Sequence, residues 1–420
     1  MKNSFGIKLC LFAMACVLSV ILMPAEGTAS RAAKVSTVRF DSKGQRLAIG
    51  KDDGSISVYD KSSGKKVWGV PPTSVKIYAN FFRADDSQVL AVEYGGNIKV
   101  FDASSGRLLR RFEPNFLRNY DGRSERIHST DMDPSGNVLA LEGFLFKIVT
   151  FVNLDVAIKK IKGGELRLAE WIRSVSSPVY TSEKSRKEAG PAYMGEVAFD
   201  GEEADLVTDL KFCRDEKHIA ATTRSGRLLV WKFQPADSSN PHLLRVSDVE
   251  SYSRQVGDHP EFRDLFGLDC SEKHVLTVGH FSKHGQMQLW DLETGEMLQH
   301  TNQADPGTAL RVKFDQSGRF AVTTGDLRYV LWEIKDNKLH ALGKMYFNRN
   351  GYGWDYLNSV DFSPSETLVA LGVSARVNVI DIPSLTIVSS IGEGNETLEV
   401  IPFAERNQSM ARDRVFAFHQ

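Results

Sequence analysis

The sequence predicts an all-β chain built from seven copies of one four-stranded antiparallel unit. Three observations carry this reading. Apolar and polar side chains alternate over short runs, as they do in a strand with one buried face. The runs are separated by turn residues, for example Asp133-Pro134-Ser135-Gly136. The whole pattern then recurs, so that Tyr59 and Phe101, 42 positions apart, hold the same place in consecutive units. A unit of this kind cannot bury its apolar face alone, and a period of that size is the one expected for a blade of a β-propeller. The fold class is therefore a single seven-bladed β-propeller of four-stranded antiparallel blades, with eight blades as the alternative.

The copies follow in chain order. The first runs Val38 to Phe40, Arg46 to Gly50, Ser55 to Asp60, the turn Lys61-Ser62-Ser63-Gly64, then Lys65 to Trp68. The second repeats it over Ala79 to Arg83, Val89 to Glu93, Asn97 to Asp102, Ala103-Ser104-Ser105-Gly106 and Arg107 to Phe112. The third is weaker, over Ile127 to Asp131, Val138 to Glu142 and Lys147 to Asn153. The fourth spans Leu206 to Phe233. The fifth, His274 to Leu298, is the best formed, and the sixth and seventh run from Leu310 through Glu333 and from Val360 through Asp381. Ordered by their third strands, the markers are Tyr59, Phe101, Phe151, Trp231, Trp290, Trp332 and Ile380.

Trp290-Asp291, its variants Tyr59-Asp60, Phe101-Asp102, Trp332-Glu333 and Ile380-Asp381, and the Asp-x-x-Ser/Thr-Gly turn after the third strand resemble the WD-repeat family. The resemblance covers most of the chain after residue 30. It implies a propeller that binds or scaffolds other proteins. The usual Gly-His pair before each first strand is missing here, so the hydrogen-bond network the family builds on that His is mostly absent. The aromatic markers themselves are expected to pack at blade edges.

Two regions break the period. Phe151 and Trp231 are 80 positions apart, nearly two periods, and no complete unit is visible around 163–203. This stretch is expected to be an insertion between the third and fourth copies, with a short amphipathic helix over Glu165 to Ile172. The second is the C-terminus, where Thr397 to Phe403 and Arg414 to Phe418 alternate as strands do. An open ring leaves an unpaired edge at each end. These strands are therefore expected to close the ring, by completing the last blade or pairing beside the first.

The N-terminus differs from the rest. Lys2 and Lys8 precede an apolar run from Leu9 to Met23, and small residues follow in Pro24-Ala25-Glu26-Gly27-Thr28-Ala29. This describes a secretory signal over residues 1–29, cleaved after Gly27 or Ala29, and the run is short for a span of about 20 residues. An uncleaved anchor is the alternative. The single domain then occupies 30–420, exported to a periplasmic or extracellular location, with no integral span after cleavage. Cys213 and Cys270 follow apolar runs of neighbouring copies and are expected as two free buried thiols, since neighbouring blades usually hold such positions beyond bridging distance. Net charge is -1, from 52 basic and 53 acidic residues, which gives no support to a nucleic-acid partner.

Binding normally uses loops held by a rigid frame. The loops between second and third strands share one face with the blade-to-blade loops. From them the candidate binding residues are Tyr94, Arg224, His280, His284, Asp326, Tyr352, Trp354 and Arg376. Tyr352 and Trp354 belong to an aromatic, Gly-containing loop, and aromatics offer large contact area with few rotors. His280 and His284 have a metal-like spacing, but they fall in an expected loop with no third ligand, so no metal site is assigned. No cofactor motif, phosphate loop or nucleophile elbow occurs. The expected function is an exported noncatalytic module for a protein partner. The rival is a periplasmic propeller enzyme, a hydrolase or metal-dependent oxidoreductase, with its site at the channel mouth.

Overall fold

The structure, a computed structural model, describes residues 32–402 except 113–126, 144–147, 155–192, 199–206, 224–225, 235–244, 247–251, 256–264, 282–283, 306–310, 326–327, 349–358, 366 and 393–396. The chain divides into Met1–Ala33 and Lys34–Gln420, and the sheets lie in the second unit. Blade 1 comprises β1 (Val35–Phe40), β2 (Arg46–Lys51), β3 (Ile56–Asp60) and β4 (Lys66–Val70). Blade 2 comprises β5 (Ile77–Phe82), β6 (Gln88–Glu93), β7 (Ile98–Asp102) and β8 (Leu108–Phe112). In blade 3, β9 (Ile127–Met132), β10 (Val138–Gly143) and β11 (Ile148–Asn153) are joined by β12 (Tyr193–Ala198). Blade 4 holds β13 (Val207–Phe212), β14 (His218–Thr223) and β15 (Arg227–Gln234), against which both β16 (Arg245–Val246) and β17 (Tyr252–Gln255) pair. Blade 5 holds β18 (Leu265–Cys270), β19 (His274–Phe281), β20 (His284–Asp291) and β21 (Met297–Asp305). Blade 6 holds β22 (Arg311–Phe314), β23 (Phe320–Thr324), β24 (Arg328–Lys335) and β25 (Lys338–Asn348), with β30 (Thr397–Pro402) as a fifth strand. Blade 7 holds β26 (Ser359–Phe362), β27 (Leu368–Val373), β28 (Arg376–Asp381) and β29 (Thr386–Gly392).

Within each sheet the strands run in sequence order and antiparallel, so the first strand of every copy is the innermost. Each second strand is apolar on both faces because both faces meet a neighbouring blade; Val89 to Glu93 of β6 are buried without a break. Outer strands have no such cover, and β29 is exposed at Thr386, Ile387 and Val388. The core is thus a set of blade-to-blade layers. One joins Val38, Leu47 and Ile49 of blade 1 to Ala370, Val377 and Val379 of blade 7. That layer closes the circle, with β1 packed on β26 and β27.

The turn after the third strand explains the repeated Asp. The Asp102 carboxylate accepts the Ser105 N–H at 2.9 Å and the Ser104 hydroxyl at 2.6 Å, and the Gly106 N–H returns to the Asp102 carbonyl at 2.9 Å. Gly106 has φ +70°, and a Cβ there would lie 2.6 Å from Trp68, so only glycine fits both demands. Trp68 in turn donates its indole N–H to the Ala103 carbonyl at 2.9 Å. The turn of blade 2 and the outer strand of blade 1 are thereby locked together.

Four expectations are corrected. First, Thr397–Pro402 neither completes the last blade nor pairs beside the first; it pairs antiparallel with β25, from Gly343↔Pro402 to Asn348↔Thr397, on the outer edge of blade 6. The ring needs no such strand, since β1 and β26 already meet inside it. Arg414 to Phe418 lie outside the described residues. Second, the irregular stretch around 163–203 ends in a regular strand: β12 pairs with β11 and supplies the fourth strand of blade 3. In the sequence the break therefore precedes the fourth strand of blade 3 instead of separating the third and fourth copies, and the expected helix at 165–172 lies outside the described residues. Third, the expected loop at His280 to Gln286 is a continuation of β19 and β20, with His280 opposite Gly285 and Phe281 opposite His284.

The fourth correction concerns the cysteines. Cys213 and Cys270 are bonded to each other, with Cα atoms 4.9 Å apart and both side chains fully buried. Blades diverge outward, but their innermost strands converge on the axis, and β13 packs directly on β18. Bridging distance is reached there. The bond closes a sequence separation of 57 residues. Replacing both cysteines by alanine is expected to cost about 2–4 kcal/mol, read as a lower urea midpoint, and reductant should lower the midpoint of the wild type but not of the variant. Equal midpoints for the two proteins without reductant would contradict a structural role for the bond.

Candidate functional site

The shared register of first and second strands lines up the inner strands as rings of side chains. The residues opposite Ala48, Leu90, Ala140, Ala220, Leu276, Val322 and Ala370 are Arg39, Phe81, Asp131, Lys211, Asp269, Lys313 and Asp361. From blade 3 to blade 1 the charges alternate: minus, plus, minus, plus, minus, plus. Phe81 of blade 2 interrupts them, and the Arg39 guanidinium lies over its ring at 5.3 Å.

Each carboxylate of this ring ties one blade to the next. Asp131 accepts the backbone N–H of Phe212 at 3.0 Å, Asp269 that of Phe314 at 2.7 Å, and Asp361 that of Phe40 at 2.8 Å. In every case the residue before that N–H is the cation: Lys211, Lys313 or Arg39. Arg39 reaches Asp361 at 3.1 Å and Lys313 reaches Asp269 at 3.7 Å. Between blades 4 and 5, Asp209 plays the same part, accepting the Leu268 N–H at 3.1 Å, the Lys211 ammonium at 2.8 Å and the Ser129 hydroxyl at 3.0 Å. A buried carboxylate is costly unless paired and hydrogen-bonded; Asp209, Asp269 and Asp361 are both, whereas Asp131 has the Phe212 N–H as its partner.

The environments are not equal. Burial would raise Asp209, but Lys211, Arg311 and the hydrogen bonds hold it below the usual carboxylate range. Burial wins at Asp131 and pushes it up, with Lys211 and Lys313 only partly offsetting the cost. Lys211 is opposed by burial yet raised by Asp209 and Asp131, whereas burial outweighs Asp269 at Lys313 and lowers it.

Toward the face that carries the loops between second and third strands, the inner strands of blades 1 to 5 share a register shift, as between Val35 and Thr37, Ile77 and Ala79, or Leu265 and Gly267. Such a bulge inserts one residue and re-aims it. In blade 2 that residue is Tyr78, whose hydroxyl lies 3.5 Å from a guanidinium nitrogen of Arg311, on blade 6. Arg311 also lies 3.6 Å from Asp209, on blade 4. Side chains from three blades thus meet across the axis. The Tyr94 ring is 6.4 Å from that of Tyr78, and its N–H donates to the Lys76 carbonyl at 2.9 Å.

Of the residues expected to bind, Tyr94 sits at this mouth. Arg376 opens β28 on blade 7, half-buried, and its Nε has no hydrogen-bond partner. Val377 and Val379 face blade 1, so Arg376 turns toward blade 6. His280 and His284 lie in strand backbone on blade 5, and Arg224, Asp326, Tyr352 and Trp354 fall outside the described residues. Among the described residues no three His, Cys, Asp or Glu side chains gather as a metal would need. The inner ring, Tyr78, Lys76 and Arg311 were not among the expected residues. For four members of the ring the signal was a charge before an aromatic at the end of the first strand, in Arg39-Phe40, Lys211-Phe212, Lys313-Phe314 and Asp361-Phe362.

The acid dependence of stability follows from Asp209. Its folded pKa is depressed, so its contribution is complete above the unfolded value of about 3.9 and is lost as pH falls through the lower folded value. Asp209→Asn should cost about 3 kcal/mol at pH 7 and flatten the acid limb of the stability curve. Asp131 has the opposite sign: its folded pKa is raised, so its ionised form is less favourable in the fold than in the unfolded chain. Asp131→Asn keeps a carbonyl acceptor for Phe212 and should cost about 1 kcal/mol or less. Denaturation of both variants from pH 3 to 7 checks the order, and a larger loss for Asp131→Asn would contradict it.

Comparison with known proteins agrees with this architecture. The sequence model for the WD domain, G-beta repeat, matches residues 26–60. No curated protein sequence matches the chain. Among solved structures, the WD40 repeats of RRP9 superpose with a TM-score of 0.56 at 15% identity, covering 88% of this chain and 94% of that one. U3-55K gives 0.55 at 15% identity, covering 88% and 96%. A chain of the Mitotic Checkpoint Complex gives 0.54 at 11% identity, covering 81% and 84%. The repeat signature matched in the first blade, the seven sheets among the described residues and the shared architecture lead to one conclusion: the chain folds as a β-propeller, similar in architecture to those of WD40 repeats.

Proposed function

We propose that the protein is an exported, noncatalytic module that holds a protein partner on the face of the ring carrying the loops between second and third strands. The observation that carries this reading is the cross-blade bonding at the axis. Buried Asp131, Asp209, Asp269 and Asp361 spend their acceptors on the N–H groups and cations of neighbouring inner strands. Those groups hold the frame rigid, which is what a loop-presenting scaffold requires. An enzyme at the channel mouth would need a carboxylate or histidine free for acid–base work, and Asp209 is already engaged by Lys211, Ser129 and Leu268. One protein of similar fold was solved within an assembly, the Mitotic Checkpoint Complex, which supports a protein as the class of partner.

Export is supported by the signal-like N-terminus and by the Cys213–Cys270 bond, since disulfides persist mainly in oxidising compartments. Sequencing of the mature N-terminus should find a start near Thr28 or Ser30; recovery of the full-length chain in a salt-washed membrane pellet would contradict it. Partner binding is checked by immobilising the mature protein, exposing it to the exported fraction and identifying captured proteins by mass spectrometry. A saturable partner should be retained by wild type and lost from the double variant Tyr94→Ala, Arg376→Ala. Equal capture by both would place binding elsewhere on the ring.

A further inference from the structure

The seam between blades 6 and 7 carries polar groups that the frame does not use. Ladder partners show which side chains of blade 7 share a face: Arg376 stands opposite Val373, Asn378 opposite Leu371, and Ile380 opposite Val369. Val369, Leu371, Val373 and Ile380 all pack on blade 6. Residues directly opposite in an antiparallel ladder lie on one face, as do alternate residues of a strand. Arg376 and Asn378 are therefore neighbours on the wall that meets blade 6, at the end of the seam where β27 turns into β28. On the facing wall stand Tyr329 and its ladder partner Met345, and the Tyr329 hydroxyl donates to the Gly372 carbonyl at 2.7 Å. The same alternation turns Arg328 and Lys344 to the opposite face of blade 6, with Val330.

Both Arg376 and Asn378 hold donors without an acceptor. Among the described residues the Arg376 guanidinium makes no hydrogen bond and no ion pair, although the side chain is half-buried and its Nε fully so. Asn378 is only 4% exposed; its Oδ1 accepts the Ser390 hydroxyl at 2.9 Å, and its Nδ2 is buried with no partner. On blade 6, Thr324 pairs with Tyr329 in the ladder and carries a buried Oγ1 in the same condition. Buried polar groups are nearly always hydrogen-bonded. Water would satisfy the Asn378 amide, but it would leave a half-buried positive charge without a counter-charge. An anion does both.

The shape of the donors narrows the class. An Arg Nε–H and its neighbouring Nη–H form a planar fork that matches the two oxygens of a carboxylate. The Asn378 amide, two residues along the strand, adds a third donor from the same side. The flanking Leu371, Val373 and Met345 bring no acid that would repel the ligand and no second cation, which suits a monoanion better than a phosphate or sulfate dianion. We infer that Arg376 and Asn378 bind a small carboxylate at the seam of blades 6 and 7. This site goes beyond the scaffold reading and needs no protein partner.

The test titrates the mature protein, labelled with nitrogen-15, with sodium acetate, with its neutral isostere acetamide and with sodium chloride at equal ionic strength. The resonances followed are the Arg376 Nε–H and the Asn378 side-chain amide. Acetate should shift both saturably, and acetamide and chloride should not. Arg376→Gln should weaken acetate at least tenfold, about 1.4 kcal/mol, and Arg376→Lys, which keeps the charge and loses the fork, should fall between. Arg376 has no partner to lose, so Arg376→Gln should keep the wild-type melting temperature and the test stays open even where a change at buried Asn378 unfolds the blade. Lys65→Gln, in an exposed turn after the third strand of blade 1, should leave affinity within about twofold. Shifts that rise linearly without saturation, an equal response to acetamide, or unchanged affinity in Arg376→Gln overturns the assignment. So does sulfate or phosphate that binds as tightly as acetate. Partner capture is measured without added carboxylate, so either reading can fail while the other stands.

Discussion

The interaction on which the rest depends is the buried carboxylate that accepts a backbone N–H from the next blade. In a propeller, neighbouring blades share no ladder of backbone hydrogen bonds, so apolar packing alone would fix their distance but not their register. Asp131, Asp269 and Asp361 supply that register, because each meets one defined N–H, that of Phe212, Phe314 or Phe40. The same positions place a cation one residue before the N–H, which offsets the cost of burying the acid. Alternation of charge follows from the device: at the ring position each blade except blade 2 gives either the acid or the cation. It also accounts for closure. Blade 7 grips blade 1 through Asp361 and Arg39, and the C-terminal strand β30 is left to cover the outer edge of blade 6.

Most of the fold was legible because strand period, turn chemistry and the 42-residue repeat are local features of the chain. Asp60 and Asp102 illustrate this: their bonds reach only two or three residues ahead, to Ser62 and Ser63 or Ser104 and Ser105. The site was much less legible, for the converse reason. Asp131 and Phe212 are 81 positions apart, Asp361 and Phe40 are 321 apart, and Arg311 and Tyr78 are 233 apart. Nothing in a single copy shows that these residues meet. Tyr78 was hidden further by a bulge, which turns a residue out of the alternation by which strands are read. Of the residues anticipated at the binding face, Tyr94 reached the mouth because the turn after a second strand is recognisable from its glycines. The Cys213–Cys270 bond was missed through a rule drawn from average blade spacing, which fails at the axis.

Frame and mouth are connected through Asp209. It is bonded to the Leu268 N–H of blade 5, to Lys211 of its own blade and to Ser129 of blade 3. Arg311 of blade 6 reaches the same carboxylate at 3.6 Å and the Tyr78 hydroxyl of blade 2 at 3.5 Å. The disulfide joins the same pair of blades, 4 and 5.

The most direct measurement of that pattern is amide hydrogen exchange at the seam of blades 1 and 7, comparing wild type with Asp361→Ala and Asp361→Asn. The Phe40 N–H points at this carboxylate at 2.8 Å and is buried. Removal of the acceptor should cost about 3 kcal/mol or more. It should strip protection from Phe40 and its neighbours in β1 while the seam of blades 3 and 4 keeps its own, and Asn, which retains an acceptor, should restore part of it. Undiminished protection of the Phe40 amide in Asp361→Ala would show that packing alone sets the register of the ring.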